Sequence, residues 1–390
     1  MTGLRVLFVV QGEGRGHLTQ ALALAEMLRR RGHVVVGAVV GGGRADVPAF
    51  FRRGLAVAVE TVESPGFVAG PDGRIRPAAT LTRALARAGR YDDSLDHVGA
   101  AIDRAEPDVV VNFYEGLVGL YSVLRVSDVP VVAVGHQFMA GHDGYPLLPG
   151  APLQKAAMQA YTAVVGAGAA TRLALSFYDA PDRPGVRVVP PLLRERVFAL
   201  ADRPSDGSVL VYLMEPARAP QLAAWSDRHP DVRVHVFSAV RPHAHSASLT
   251  FHALSGTAFL ERMAVARGVV CTAGFETVSE AMWLGKPALM VPTPGHYEQR
   301  CNAADAAAHG AGVVSETLDL DPLMEHLDHA GPDAEPSTAR FRQWVARAEG
   351  RAVGAVEEAA GLPPLGGDGS GDGLADAADV DIAHPRPNAG

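Results

Sequence analysis

Residues 269–302 read VVCTAGFETVSEAMWLGKPALMVPTPGHYEQRCN. A short apolar strand, Val269 to Cys271, runs into the small-residue turn Thr272-Ala273-Gly274. The spacing predicts a helix from Glu276 to Leu284, stopped by Gly285. A second apolar strand, Ala288 to Val291, leads through a Pro-rich loop to another helix beginning at Tyr297. Strand, helix, strand, helix at this spacing is the pattern of a parallel α/β sheet. Ligands of such sheets bind beyond the carboxyl ends of the strands, so both loops face one crevice.

The first loop opens a helix whose free N–H groups at Phe275, Glu276 and Thr277 suit an anion, because a helix N-terminus carries partial positive charge. Gly274 permits close backbone approach there. Glu280, one turn beyond Glu276, can accept two hydrogen bonds from a ribose diol. The second loop delivers Glu298 and Gln299 side by side, a pair suited to sugar hydroxyls.

Working outward, the amino terminus has the same grammar. Leu4 to Val10 is a buried-strand pattern, followed by a Gly-rich turn and a helix from His17 to Arg30. Arg29, Arg30 and Arg31 complement the helix dipole, and Gly32 ends the helix. Val34 to Val40 is the next strand. The turn, Gly12-Glu13-Gly14-Arg15-Gly16-His17, is not the dinucleotide fingerprint, because His17 stands where the third glycine would be. Gly14 and Gly16 leave room for a ligand, and a helix start disfavours imidazolium, which suits His17 to a general base. Further strands are read at 107–112, 129–134, 186–189, 209–214 and 232–237. Asn112, His136 and Gln137 fall at strand ends of this half, with Glu115 one turn beyond Asn112. Glu115 is equally readable as a catalytic partner or as a first-turn acid answering the helix dipole.

The series G-F-E-T-x-x-E-A…G-K-P…E-Q…N-A, with the opening at 9–33, resembles GT-B glycosyltransferases. It is similar to the bacterial N-acetylglucosaminyltransferase of the peptidoglycan precursor, to the family 1 type enzymes, and to a subset of uncharacterised bacterial and archaeal members. The resemblance implies an α/β GT-B fold, two Rossmann-like parallel-sheet domains facing a central cleft. It implies a nucleotide-sugar donor, a UDP-sugar, on the second domain and a hydroxyl acceptor on the first. It maps the base onto His17 and places Phe259 to Met263 beside the nucleotide base. Related enzymes often carry Asp at the position of Asn112, a departure that gives weight to a non-catalytic partner protein. A 2-epimerase of the same fold and an NAD-dependent dehydrogenase are the other readings.

A chain of 390 residues favours two domains. The expected extents are 1–201, a linker at 202–207, 208–335, a helix at 336–361 crossing back to the first domain on Phe341 and Trp344, and an acidic Gly/Asp/Ala-rich tail at 362–390. The net charge of -8 and the lack of a basic stripe argue against nucleic acid. Two cysteines, Cys271 and Cys301, with no metal spacing, point to a reducing cytosol and no disulfide framework. No D-x-D motif in the folded body suggests a metal, and no cofactor is implied. The apolar runs are too short to span a bilayer. Arg83, Arg87 and Arg90 share one helical face, read as a solvated face or as contact with the inner face of the membrane. Asp368, Ser370, Asp372, Gly373 and Asp379 match calcium-loop spacing, without flanking amphipathic helices.

Overall fold

The computed structural model describes residues 3–42, 47–66, 88–125, 127–239, 246–329 and 334–363, with Thr82 and Ala86. The calcium-loop spacing and the positions Arg83 and Arg87 lie outside the described residues.

The first sheet holds β1 (Arg5–Gln11), β2 (Val34–Gly42), β3 (Val59–Glu63), β4 (Val109–Phe113), β5 (Val131–Gly135), β6 (Thr171–Leu175) and β7 (Val186–Val189), in the order β3-β2-β1-β4-β5-β6-β7. Every pairing is parallel. Along β1, Val6, Phe8 and Val10 join one apolar cluster and Leu7 and Val9 join another, so both faces are buried. That is why these strands read as continuous apolar runs without alternation. Helix α1 (Gly16–Arg30) covers the first face, and α3 (Ala88–Ala105) with α4 (Gly116–Leu124) covers the second. Between β2 and β3 lies the short helix α2 (Ala49–Leu55).

The second sheet is also parallel, in the order β10-β9-β8-β11-β12-β13. Its strands are β8 (Val209–Leu213), β9 (Val234–Ser238), β10 (Leu249–Ala253), β11 (Gly268–Cys271), β12 (Ala288–Met290) and β13 (Gly312–Val314). Two parallel-sheet α/β domains are therefore present, as expected.

Each sheet has one place where strand order reverses: between β1 and β4, and between β8 and β11. Crevices open at such switch points. The loop carrying His17 follows β1, and Tyr114 follows β4. The loop carrying Gly274 follows β11.

The stretch predicted as one helix at 336–361 is two, Ala334–Val345 and Ala348–Ala359. The chain tightens at the break, where the Arg347 N–H bonds to the Trp344 carbonyl at 3.1 Å. The bend turns the last helix onto the first domain. Trp344 donates its indole N–H to the Ser176 carbonyl at 3.0 Å, and Phe341 is buried. His33 on the first domain meets Glu357 on that helix at 3.0 Å.

Candidate functional site

The glycine loop is shaped by close approach. A Cβ on Gly12 would lie 2.4 Å from the Gly41 carbonyl oxygen, and Gly14 has φ +83. Only glycine is comfortable at both positions. Helix α1 then starts with no side-chain cap, so its first N–H groups stay available. His17 in that first turn is half-buried. Its Nδ1 faces Gln20 Oε1 at 3.3 Å, and its ring stacks on Tyr114 at 5.6 Å and 17°. With an oxygen opposite Nδ1, the proton sits on Nδ1 and Nε2 is the basic nitrogen. Burial lowers the His17 pKa, against a raising influence from Glu298 and the Gln20 bond. The imidazole is therefore neutral, mainly through desolvation rather than the helix dipole invoked from sequence.

On the other side of the cleft, β11 ends at Cys271, and Ala273 in the turn that follows has a φ of 62, unusual for a residue with a side chain. Gly274 caps the next helix, α9 (Phe275–Trp283), and a Cβ there would meet nothing within 4 Å. This helix also begins without a side-chain cap. (Between β7 and this point lie α6, Glu195–Phe198, α7, Ala219–Arg228, and α8, Gly256–Val265; α5 is Pro152–Val165.) The two uncapped helix starts abut: a Cβ on Gly16 would stand 3.9 Å from Glu276 Cβ.

The second loop runs into α10 (Tyr297–Ala308). Glu298 in its first turn accepts a hydrogen bond from Gln137 of the first domain at 3.0 Å. Gln299 turns its carbonyl oxygen to the Thr293 N–H at 2.8 Å and so braces the Pro-rich loop.

Several residues singled out from sequence are held by internal partners. Asn112 is fully buried: its Nδ2 donates to the Glu115 and Val165 carbonyls, and its Oδ1 accepts the Glu115 N–H. Its side chain builds the turn after β4. Glu115 is 0% exposed and caps α4 by accepting the Leu117 N–H at 3.2 Å. Burial pushes its pKa up to about 7, against help from Leu117 and Ser64. His136 is packed between domains, stacked on Phe275 at 4.2 Å with Nδ1 against the Leu175 carbonyl at 2.6 Å. Glu280 is engaged by Arg194, whose Nε reaches Oε1 at 3.0 Å and whose Nη2 reaches the same oxygen. The loop at 145–153 packs on α10: Tyr145 bonds Asn302 at 3.0 Å, and Tyr297 bonds the Leu148 carbonyl at 2.9 Å. Phe259 packs on the Tyr212 ring at 5.3 Å.

Tyr114, Gln20 and Arg194 were missed from sequence. Tyr114 carries a weak signal as the residue after a strand in a left-handed conformation, φ 60. Arg194 lies 86 residues from its partner and carries no local signal.

A cavity of about 440 Å³ lies between the glycine loop, the end of β2 and the carboxyl ends of β8 to β10, with Arg15, Leu213, Met214 and Leu254 on its walls. That volume suits a small-molecule ligand. Among the described residues, no group of three or more His, Cys, Asp or Glu side chains is placed to hold a metal. Among the same residues no helix is long and apolar enough to cross a membrane. Cys271 and Cys301 are free and buried.

A family profile described as glycosyl transferase family 1 matches residues 4–329. A protein of Nocardia farcinica is 28% identical over 348 residues, covering 82% of this chain and 85% of its own length. One of Methylobacterium sp. is 31% identical over 354 residues, covering 81% and 85%. Both are named UDP-N-acetylglucosamine–N-acetylmuramyl-(pentapeptide) pyrophosphoryl-undecaprenol N-acetylglucosamine transferase. Among solved structures, the glycotransferase of kitacinnamycin superposes with a TM-score of 0.63 at 17% identity, over 93% of this chain and 100% of that one. CalG4, the calicheamicin glycosyltransferase, gives 0.59 at 18% identity, over 93% and 99%. At such identity these two matches speak for the fold, which is GT-B.

Proposed function

The chain belongs to glycosyl transferase family 1 and is a glycosyltransferase, and on that footing we propose that it moves a sugar from a UDP-sugar to a hydroxyl acceptor, inverting the anomeric carbon and using no metal ion. The observation that carries this reading is the meeting of two uncapped helix starts, one bearing the neutral His17 and the other following the open Gly274. The UDP donor rests on the relatives' printed activity.

In this reading the diphosphate lies at the N–H groups of Phe275, Glu276 and Thr277, where the helix end favours negative charge. The ribose diol meets Glu280 and the sugar meets Glu298 and Gln299. The acceptor lies on the first domain beside Gly14 and Gly16, with its hydroxyl at His17 Nε2. As the acceptor oxygen bonds to the anomeric carbon, the bond from that carbon to the diphosphate oxygen breaks. The hydroxyl proton passes to Nε2, and UDP leaves with the bond's electron pair, stabilised by main-chain N–H groups. Gln20, holding Nδ1–H, keeps Nε2 aimed at the acceptor. The acceptor is read as a hydroxyl-bearing, lipid-linked molecule met at the inner face of the membrane, in line with the relatives' activity. The argument from Asn112 for a non-catalytic protein weakens, because that side chain is spent on the turn after β4.

Incubating the protein with UDP-N-acetylglucosamine and a panel of hydroxyl acceptors, read by mass spectrometry, tests the reading. A glycosylated acceptor of opposite anomeric configuration, formed equally well in a metal chelator, is expected. A donor-only incubation yielding a new sugar nucleotide would replace it with epimerisation.

A further inference from the structure

A carboxylate at a diphosphate-binding helix start is an electrostatic contradiction. Glu276 occupies the second position of α9, and its residue is only 7% exposed. Neither of its oxygens has a hydrogen-bond partner. A buried carboxylate in that state is costly when ionised, whereas a neutral carboxyl loses far less. Of the surrounding charges, Glu280 leads the same way, while Arg194 and the helix start oppose it. Glu280, one turn later on the same helix, is a like charge, and its Oε1 already takes both bonds from Arg194. Arg194 is thereby committed to Glu280, with Glu26 of α1 also close to it. From α1, Gln20 faces Glu276 without a bond of ordinary geometry, and the neighbouring His17 is neutral. Burial first, and then Glu280, raise the Glu276 pKa well above the ordinary carboxyl range, with Arg194 and the Gln20 amide opposing.

We propose that Glu276 works as a protonated carboxyl, donating its O–H to an oxygen of the donor's diphosphate at the junction of the two helix starts. The inference rests on the nucleotide-sugar reading above and deepens it. The two acids on one face of α9 then divide their tasks. Burial raises the Glu280 carboxyl too, but its bonded pair with Arg194 opposes that shift directly, so of the two Glu280 is the one that ionises and accepts from ribose hydroxyls. Glu276, unpaired, stays neutral and donates to phosphate. Ionised, Glu276 would repel the diphosphate across a dry contact. Neutral, it adds a donor beside the main-chain N–H groups.

The sign of the pH dependence follows. Only the protonated form binds, so affinity is highest at low pH and falls by about tenfold per pH unit above the Glu276 pKa of the free protein. The test is calorimetry of the whole chain with UDP-N-acetylglucosamine and, in parallel, uridine, from about pH 5.5 to about pH 9.5, a span chosen to cross the raised carboxyl range. The doubly esterified diphosphate does not titrate in this span, and uridine reports the Glu280 contact without phosphate. The ratio of the two affinities should fall as pH rises in the wild type. In Glu276→Gln, which keeps a donor at that position, it should stay at the wild type's low-pH value throughout. A flat wild-type ratio overturns the proposal while the donor reading stands. So does a Glu276→Gln profile that keeps the wild-type slope, or one that binds the sugar nucleotide more tightly than wild type at every pH. Absence of wild-type binding at any pH overturns both.

Discussion

The two switch points are built alike and equipped differently. At each, a parallel strand ends in a turn with a left-handed residue, Gly14 in one half and Ala273 in the other, and a helix begins without a side-chain cap. The first carries an imidazole, half open to the cleft, with one nitrogen held by Gln20. The second carries two glutamates on one buried face, one paired with Arg194 and one unpaired. Burial acts on both in the direction that disfavours charge, so it holds the His17 imidazole neutral and raises the Glu276 carboxyl. On our proposal the same backbone device serves opposite proton chemistry, and the side chain placed on it decides which.

If the first switch point supplies the base, His17→Ala should lower kcat by about 10²- to 10⁴-fold, the usual worth of general base catalysis. Calorimetry should find donor affinity close to wild type; unchanged turnover would remove His17 from the chemistry. At the second, Arg194→Ala strands the buried Glu280 charge. We expect a loss of about 3 kcal/mol or more in chemical denaturation, together with weaker uridine binding, since removing one member of a buried pair leaves the other uncompensated. Full stability and unchanged affinity would show that the pair does not set the Glu280 charge.

Glu115 sharpens the contrast within the first half. Its folded-state carboxyl keeps its proton up to about pH 7, whereas in the unfolded chain it loses it near 4.5. Folding stability should therefore decline as pH rises from about 4.5 to about 7, by about 3 kcal/mol from this group, and level off above. Glu115→Gln should remove that part of the denaturation profile; if the wild-type slope persists, the slope has another source. The smallest effect concerns the link between halves. Gln137→Ala deletes one hydrogen bond to Glu298, worth about 1 kcal/mol. It should raise the KM for the sugar nucleotide severalfold with little change in kcat, and a pure kcat effect would assign Gln137 to the acceptor side instead.

Most inner strands of both sheets were legible because each buries both faces, which leaves long apolar runs between Gly-rich turns; β6, inside the first sheet, was not read, its TRLAL being short and begun by polar residues. Val186–Val189, though an edge strand, was read residue for residue. Other edge strands were not: β3 is half exposed, and β13 is three residues long, so neither leaves a pattern. The break after Val345 was hidden because the residues on both sides favour helix, and the bend depends on Trp344 finding Ser176 in the other domain.

The linear order of residues was enough to establish two parallel sheets and to put glycine turns, His17 and the acidic helix face at the ends of the right strands. Backbone geometry and apolar period are local properties, written within a dozen residues. What each polar side chain faces is not local. Arg194 reaches Glu280 across 86 residues and Gln137 reaches Glu298 across 161. Asn112 and Glu115 turn inward to satisfy buried backbone groups. Charge state follows from desolvation and partners, and both come into being only when the two halves pack against one another.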